Sequence, residues 1–117
     1  MSEIKNCQIR STMLGVEDHG IFTFMIHLSG DGWSCGYGGY SLDEYDKKLE
    51  CRLMTAKGAG AMAEVLRVLE VDSWEKLPGT FIRCESEGLG RGITRIGHLL
   101  KDQWLDLKKY FNDGDRP

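Results

Sequence analysis

The sequence predicts an α+β fold, an antiparallel β-sheet packed against one main α-helix plus a C-terminal helix. Three observations carry this. In "IFTFMIHL", Phe22, Phe24, Ile26 and Leu28 fall on one face of a strand while Ile21, Thr23, Met25 and His27 share the other. In "TAKGAGAMAEVLRVLEV", Met62, Val65, Leu66 and Leu69 recur at i, i+3, i+4 and i+7, the stripe of a helix with one buried face. Finally, "SGDG" and "GLGRG" are tight-turn signals between short strand-like runs, which predicts hairpins and hence antiparallel pairing.

Each element follows in order. Glu3 to Met13 reads as a first strand, and "LGVEDHG" as an acidic turn ending in Gly20. After the strand "IFTFMIHL", the turn "SGDG" sends "GWSCGYGGYS" back as a third strand, whose glycines permit a bulge or a close approach by another backbone or a ligand. "SLDEYDKKLECRLM" is charged and predicts a loop or irregular hairpin arm. Thr55 then caps a helix from Ala56 to Val71. "DSWEKLPG" is a short helical turn closed by Pro78 and Gly79, "TFIRCESE" a strand, and "ITRIGHLL" its antiparallel partner. In "DQWLDLKKYF", Trp104, Leu107 and Phe111 sit at helical spacing with Lys108 and Lys109 toward solvent, and 112–117 form a polar tail.

The totals limit the function. A chain of 117 residues, 41% of them hydrophobic, supports one domain, 1–117, with one core. Fifteen basic against eighteen acidic residues give a net charge of −3, a poor footprint for wrapping a long nucleic acid. A small anion remains compatible, because two or three local arginines can hold it whatever the net charge. The opening "MSEIKNCQIR" has no basic segment followed by an apolar run, and no stretch approaches the ~20 apolar residues that span a bilayer, so a cytoplasmic protein without a membrane partner is expected. Cys7, Cys35, Cys51 and Cys84 are far apart in sequence and read as structural thiols rather than a zinc ribbon. A site that must surround its ligand is often completed by a second copy of so small a domain, so a homo-oligomer is expected.

Little in the sequence calls for catalysis, a metal or a cofactor. Cys35 as a nucleophile would need a base from His19, His27 or His98, and no cysteine-hydrolase signature surrounds it. The carboxylates and imidazole of "VEDHG" diverge in an extended turn, so a solvated hairpin turn is the expectation. Ligand-binding signals are stronger. The helix start around Lys57 and Gly58 offers backbone N–H groups to an anion, although its spacing is not that of a nucleotide triphosphate loop, and close packing of the glycines on the sheet is the competing account. Arg83, Arg91 and Arg95 surround a glycine-rich hairpin and suit phosphate oxygens. Trp33, Tyr37, Tyr40 and Phe81 could supply faces for a nucleobase, or equally serve the core.

The segments "STMLGVEDHGIFTFMIHLSGDGWSCGYGGYSLD", "WEKLPGTFIR" and "RIGHLLKDQW" resemble a set of small phage and prophage proteins. These carry an "ST-x-LG-x-EDHGI" opening, a "G-x-GGY-x-LD" strand and a late "IG-x-(L/I)(L/I)KD-x-W" segment. The resemblance runs from Ile9 to Leu105 and is identified with the first-described Thoeris anti-defence family, the phage sponges. It implies an oligomeric, non-enzymatic protein in the host cell cytoplasm. Such a protein captures the cyclic ADP-ribose isomer made by bacterial TIR-domain defence enzymes and holds it intact. Related sponges also accept cyclic oligonucleotides at separate sites. Where such a pocket places an arginine near the main helix start, this chain has Lys57. The competing expectation is a protein-binding inhibitor of a host defence complex, of the anti-CRISPR kind.

Overall fold

In the computed structural model, which describes residues 2–88 and 91–112, β1 (Glu3–Glu17), β2 (Ile21–Gly30) and β3 (Trp33–Gly38) form a meander. A small hairpin of β4 (Asp43–Asp46) and β5 (Cys51–Met54) leads into α1 (Ala56–Leu69). A 3-10 turn over Trp74–Lys76 precedes β6 (Phe81–Ser86), β7 (Ile93–Gly97), β8 (Trp104–Leu105) and α2 (Leu107–Asn112). Six strands make one antiparallel sheet in the order β3-β2-β1-β6-β7-β8, beside the two-stranded β4-β5 sheet. This is the α+β arrangement that the sequence predicts. The turn residues Leu89 and Gly90 and the tail from 113 to 117 lie outside the described residues.

The first turn is shorter than "LGVEDHG" suggests. Leu14, Gly15 and Val16 continue β1 and pair with Phe24, Thr23 and Phe22. Only Asp18, His19 and Gly20 turn, all with positive φ, a conformation that Asp and His tolerate better than most residues. The "SLDEYDKKLECRLM" segment is a true hairpin. It is tied to β2 by the buried Asp43, whose carboxylate accepts from the Phe22 N–H at 3.1 Å, the Ser41 hydroxyl at 2.8 Å and Arg52 at 2.9 and 2.8 Å.

The inner face of the sheet carries Ile9, Phe24, Ile26, Leu28, Tyr37, Ile82, Cys84 and Ile96, all buried. Helix α1 covers it with Ala61, Val65, Val68 and Leu69, while Met62 and Leu66 at the stripe's margin are half-buried. Thr55 caps the helix by accepting from the Gly58 N–H at 2.9 Å. The helix stops at Leu69, because Glu70 turns left-handed at φ 57°. Gly58 is where α1 meets the chain after β3: a Cβ there would overlap the Leu42 carbonyl.

The "DQWLDLKKYF" expectation is corrected at its start. Trp104 is not on a helix but on β8, paired with Gly97, and its indole lies so close over that glycine that a Cβ there would meet a ring carbon at 2.6 Å. Asp102 accepts from the Trp104 indole N–H at 2.9 Å. Asp106 then caps α2 by accepting from the Lys109 N–H at 3.0 Å, so the helix begins only at Leu107. No helix among the described residues is long and apolar enough to cross a membrane.

Candidate functional site

Alternation along the strands sends Lys5, Cys7 and Ile9 of β1 and Ile82, Cys84 and Ser86 of β6 to the inner face. The same face of β3 carries Trp33, Cys35 and Tyr37. The sheet curls enough to bring β3 against β7 and β8. Between the two walls a cleft of about 450 Å³ opens, lined by Lys5 from β1, Trp33 and Cys35 from β3, Cys84 and Ser86 from β6, and Arg91 and Ile93 at the start of β7. The Lys5 ammonium stands 5.6 Å from the centre of the Trp33 ring, within cation–π range. Gly30, across from Trp33, leaves the space the indole occupies; any Cβ there would overlap the ring.

Cys84 lines this cleft, and the buried Cys7 is its neighbour in the core. The Cys84 thiol is held below the ordinary thiol range by its hydrogen bond with Cys7 and by the charge of Lys5, against the opposing effect of burial. Cys7 is pushed the other way by that same hydrogen bond, by burial and by the neighbouring Cys84. Cys35, on the opposite wall, donates weakly to the Gly36 carbonyl at 3.5 Å.

The sequence-predicted residues divide. Trp33 and Arg91 come together in the cleft. Arg95 does not join them: its guanidinium binds the Glu85 carboxylate and lies 4.1 Å from the centre of the Trp104 ring. Arg83 flanks the same ring at 4.7 Å and donates to the carbonyls of His98 and Lys101, both at 2.8 Å. These two arginines therefore staple β6, β7 and β8 on the outer face. Arg95 also lines a second cleft, of about 420 Å³, with Tyr40, Glu87 and Lys108. Tyr40 stacks on Phe111 at 5.2 Å, and burial together with Asp106 pushes its hydroxyl above the ordinary range. Phe81 is exposed on the outer face, away from Trp33.

Tyr37 is a core residue rather than a nucleobase platform. It is 5% exposed, and its hydroxyl is enclosed by the carbonyls of Thr94 and Leu105 at 3.3 and 3.2 Å and the N–H of Leu107 at 2.8 Å. At the start of α1, the Gly58 N–H is consumed by Thr55 and the glycine backs onto Leu42, so close packing explains it. The Lys57 ammonium lies 5.6 Å from the Tyr110 ring centre, and the Tyr110 hydroxyl donates to the Lys57 carbonyl at 2.9 Å. Neither residue lines the Trp33 cleft.

The histidines have separate positions. His19 sits at the exposed hairpin turn, 3.2 Å from Asp18. His27 is exposed on the outer face of β2. His98 accepts the backbone N–H groups of Leu100 and Lys101 at its Nδ1, both at 3.1 Å, which places its ring proton on Nε2 when neutral. Among the described residues no three His, Cys, Asp or Glu side chains are grouped so that they could hold a metal ion.

Sequence reasoning passed over Lys5, Cys84 and Ser86. The signal was the period-2 alternation of β1 and β6, which carries the apolar inner face outward past Cys7 to a lysine and past Ile82 to a serine. Comparison with protein-family models, curated proteins and solved structures finds no match to this chain.

Proposed function

We propose that this chain is a non-catalytic binder that sequesters a small cyclic nucleotide-like messenger, holding it intact in the cleft between Lys5, Trp33 and Arg91. One observation carries the reading: Lys5 of β1 and Arg91, in the segment leading into β7, line with the half-buried Trp33 indole one cleft of about 450 Å³, a volume suited to a nucleotide-sized ligand. Lys5 and Arg91 would take phosphate oxygens, Arg91 in bidentate fashion, and the Trp33 ring would stack on the base. The backbone at Gly88 and Gly92 lets a phosphate approach closely. A cyclic ADP-ribose isomer, the ligand that the sequence resemblance implies, has this chemistry. A phage protein acting in the host cytoplasm would need only affinity and copy number. Free messenger falls once binding sites outnumber it and the dissociation constant lies below the signalling threshold.

The test is to incubate the purified protein with the products of an activated TIR-domain enzyme, wash it, denature it by heat and identify what is released by mass spectrometry. Release of the intact cyclic compound supports sequestration. A chemically altered product means an enzyme, and an empty protein removes this ligand class.

A second reading, an inhibitor that docks on a host defence protein, draws on the β4-β5 hairpin, where Tyr45, Leu49, Leu53 and Met54 are all exposed. It predicts a stoichiometric complex with a host protein that Leu49→Lys abolishes while binding of the small ligand is unchanged.

A further inference from the structure

We propose that Cys84 and Cys7 form a reactive dithiol that reduces a small hydroperoxide entering the cleft, with Cys84 as the attacking sulfur and Cys7 as the sulfur that closes a disulfide with it. The β1-β6 register places Cys84 opposite Lys5 and Cys7 opposite Ile82, so the two cysteines are diagonal neighbours on the inner face of the sheet. Their thiols meet in a hydrogen bond. The other two free cysteines stand apart from this pair: Cys51 lies on the separate β4-β5 hairpin, and Cys35 lies on β3, across the cleft.

Burial by itself makes a cysteine inert, and both of these are buried. Position gives them different roles. Cys84 lines the cleft of about 450 Å³, whereas Cys7 is not among the residues that line it. A peroxide in the cleft therefore meets Cys84 first. Lys5, the cross-strand partner of Cys84, lines the same cleft and sets a cation beside the sulfur. The hydrogen bond with Cys7 and the charge of Lys5 favour the Cys84 thiolate, the form that attacks an O–O bond, against the opposing effect of burial. Cys7, in contact with Cys84 and behind it, is placed as the resolving thiol.

The chemistry closes without a further oxidant. The Cys84 thiolate attacks one peroxide oxygen, the O–O bond breaks and a sulfenic acid forms. The departing oxygen takes up the proton that Cys84 released on ionising and leaves as water, or as an alcohol from an alkyl hydroperoxide. Cys7 then attacks the Cys84 sulfur: the S–S bond forms, the S–O bond breaks, and hydroxide leaves with the Cys7 proton as water. The two sulfurs together lose two electrons and the peroxide gains them. One chain thus consumes one peroxide until a thiol reductant restores the dithiol, and the step does not depend on the messenger proposed above.

Peptide mapping by mass spectrometry of the full chain, reduced and then exposed to one equivalent of hydrogen peroxide, tests this. A Cys7–Cys84 disulfide is expected, formed about tenfold faster than the exposed Cys51 is oxidised and lost again on adding dithiothreitol. In Cys7→Ser the reaction should stop at a Cys84 sulfenic acid that dimedone traps, and in Cys84→Ser the Cys7 thiol should survive. The oxidised wild type should melt at a higher temperature than the reduced one, because the bond ties residues far apart in sequence. Oxidation of Cys51 while Cys7 and Cys84 stay reduced, dimedone on Cys7 in place of Cys84, or a bond from Cys84 to Cys35 would each overturn the proposal. The wild-type map decides whether or not the serine variants fold.

Discussion

The Tyr37 hydroxyl on β3 accepts the backbone N–H of Leu107 at 2.8 Å, joining one edge of the curled sheet to the first residue of α2. The same oxygen donates toward the carbonyls of Leu105 and Thr94, so one side chain satisfies backbone groups from two other segments. Burial is the main reason this hydroxyl resists ionisation. Tyr37→Phe keeps the ring and strands the Leu107 N–H, which should cost about 1–3 kcal/mol in denaturant unfolding. A loss within error would mean that water or a shift of α2 replaces the bond.

The cleft makes unequal demands on its arginines. Arg91→Ala and Lys5→Ala should each weaken binding of a cyclic ADP-ribose isomer by roughly tenfold or more in calorimetric titration, the effect of losing a charge-assisted contact. Arg95→Ala should leave affinity nearly unchanged and lower the melting temperature instead, because its partners are Glu85 and Trp104. Bound ligand should also shield the half-buried Cys35 from iodoacetamide while the exposed Cys51 still reacts. Equal affinity loss in all three variants would show that the ligand lies elsewhere.

Asp43 ties acid stability to the β4-β5 hairpin. Hydrogen bonds from Arg52, then from Ser41 and the Phe22 N–H, hold its carboxyl well below the usual range despite some opposing burial. A carboxyl depressed in the folded state contributes stability at pH values above its unfolded pKa of about 3.9 and loses it as pH falls below that value. Asp43→Asn should therefore be less stable than wild type at pH 7, with the gap narrowing toward pH 3 in thermal melts. A gap that stays constant with pH would assign the loss to packing and hydrogen-bond geometry rather than to the charge.

Local chemistry made much of the fold legible and left most of the site obscure. Alternation in "IFTFMIHL" and the Thr55 cap each act within a few residues, and both β2 and α1 lie where those signals put them. Trp104 was misread because a tryptophan three residues before Leu107 and seven before Phe111 fits a helical stripe, while its pairing with Gly97 depends on a distant strand. Arg83 and Arg95 have the chemistry of phosphate ligands, but the β6-β7 register sets Glu85 beside Arg95. The cleft itself arises from curl: Trp33 and Arg91 share it because β3 comes back against β7, a property of the whole sheet.

Gly58 separates the two accounts that the helix start allowed. Alanine is the better helix former by about 1 kcal/mol, so on propensity alone Gly58→Ala should stabilise α1. The added methyl would instead overlap the Leu42 carbonyl, a backbone atom fixed by accepting from both the N–H and the hydroxyl of Thr55 at 3.2 Å. Helix and strand connection must then separate, at a cost of about 1–3 kcal/mol beyond the lost propensity gain. Gly60→Ala meets the movable Tyr110 hydroxyl and should cost less. Denaturant titration of the two variants checks the order: a destabilised Gly58→Ala with unchanged ligand affinity assigns this glycine to packing, whereas a stable protein with lost affinity would return the helix start to the binding site.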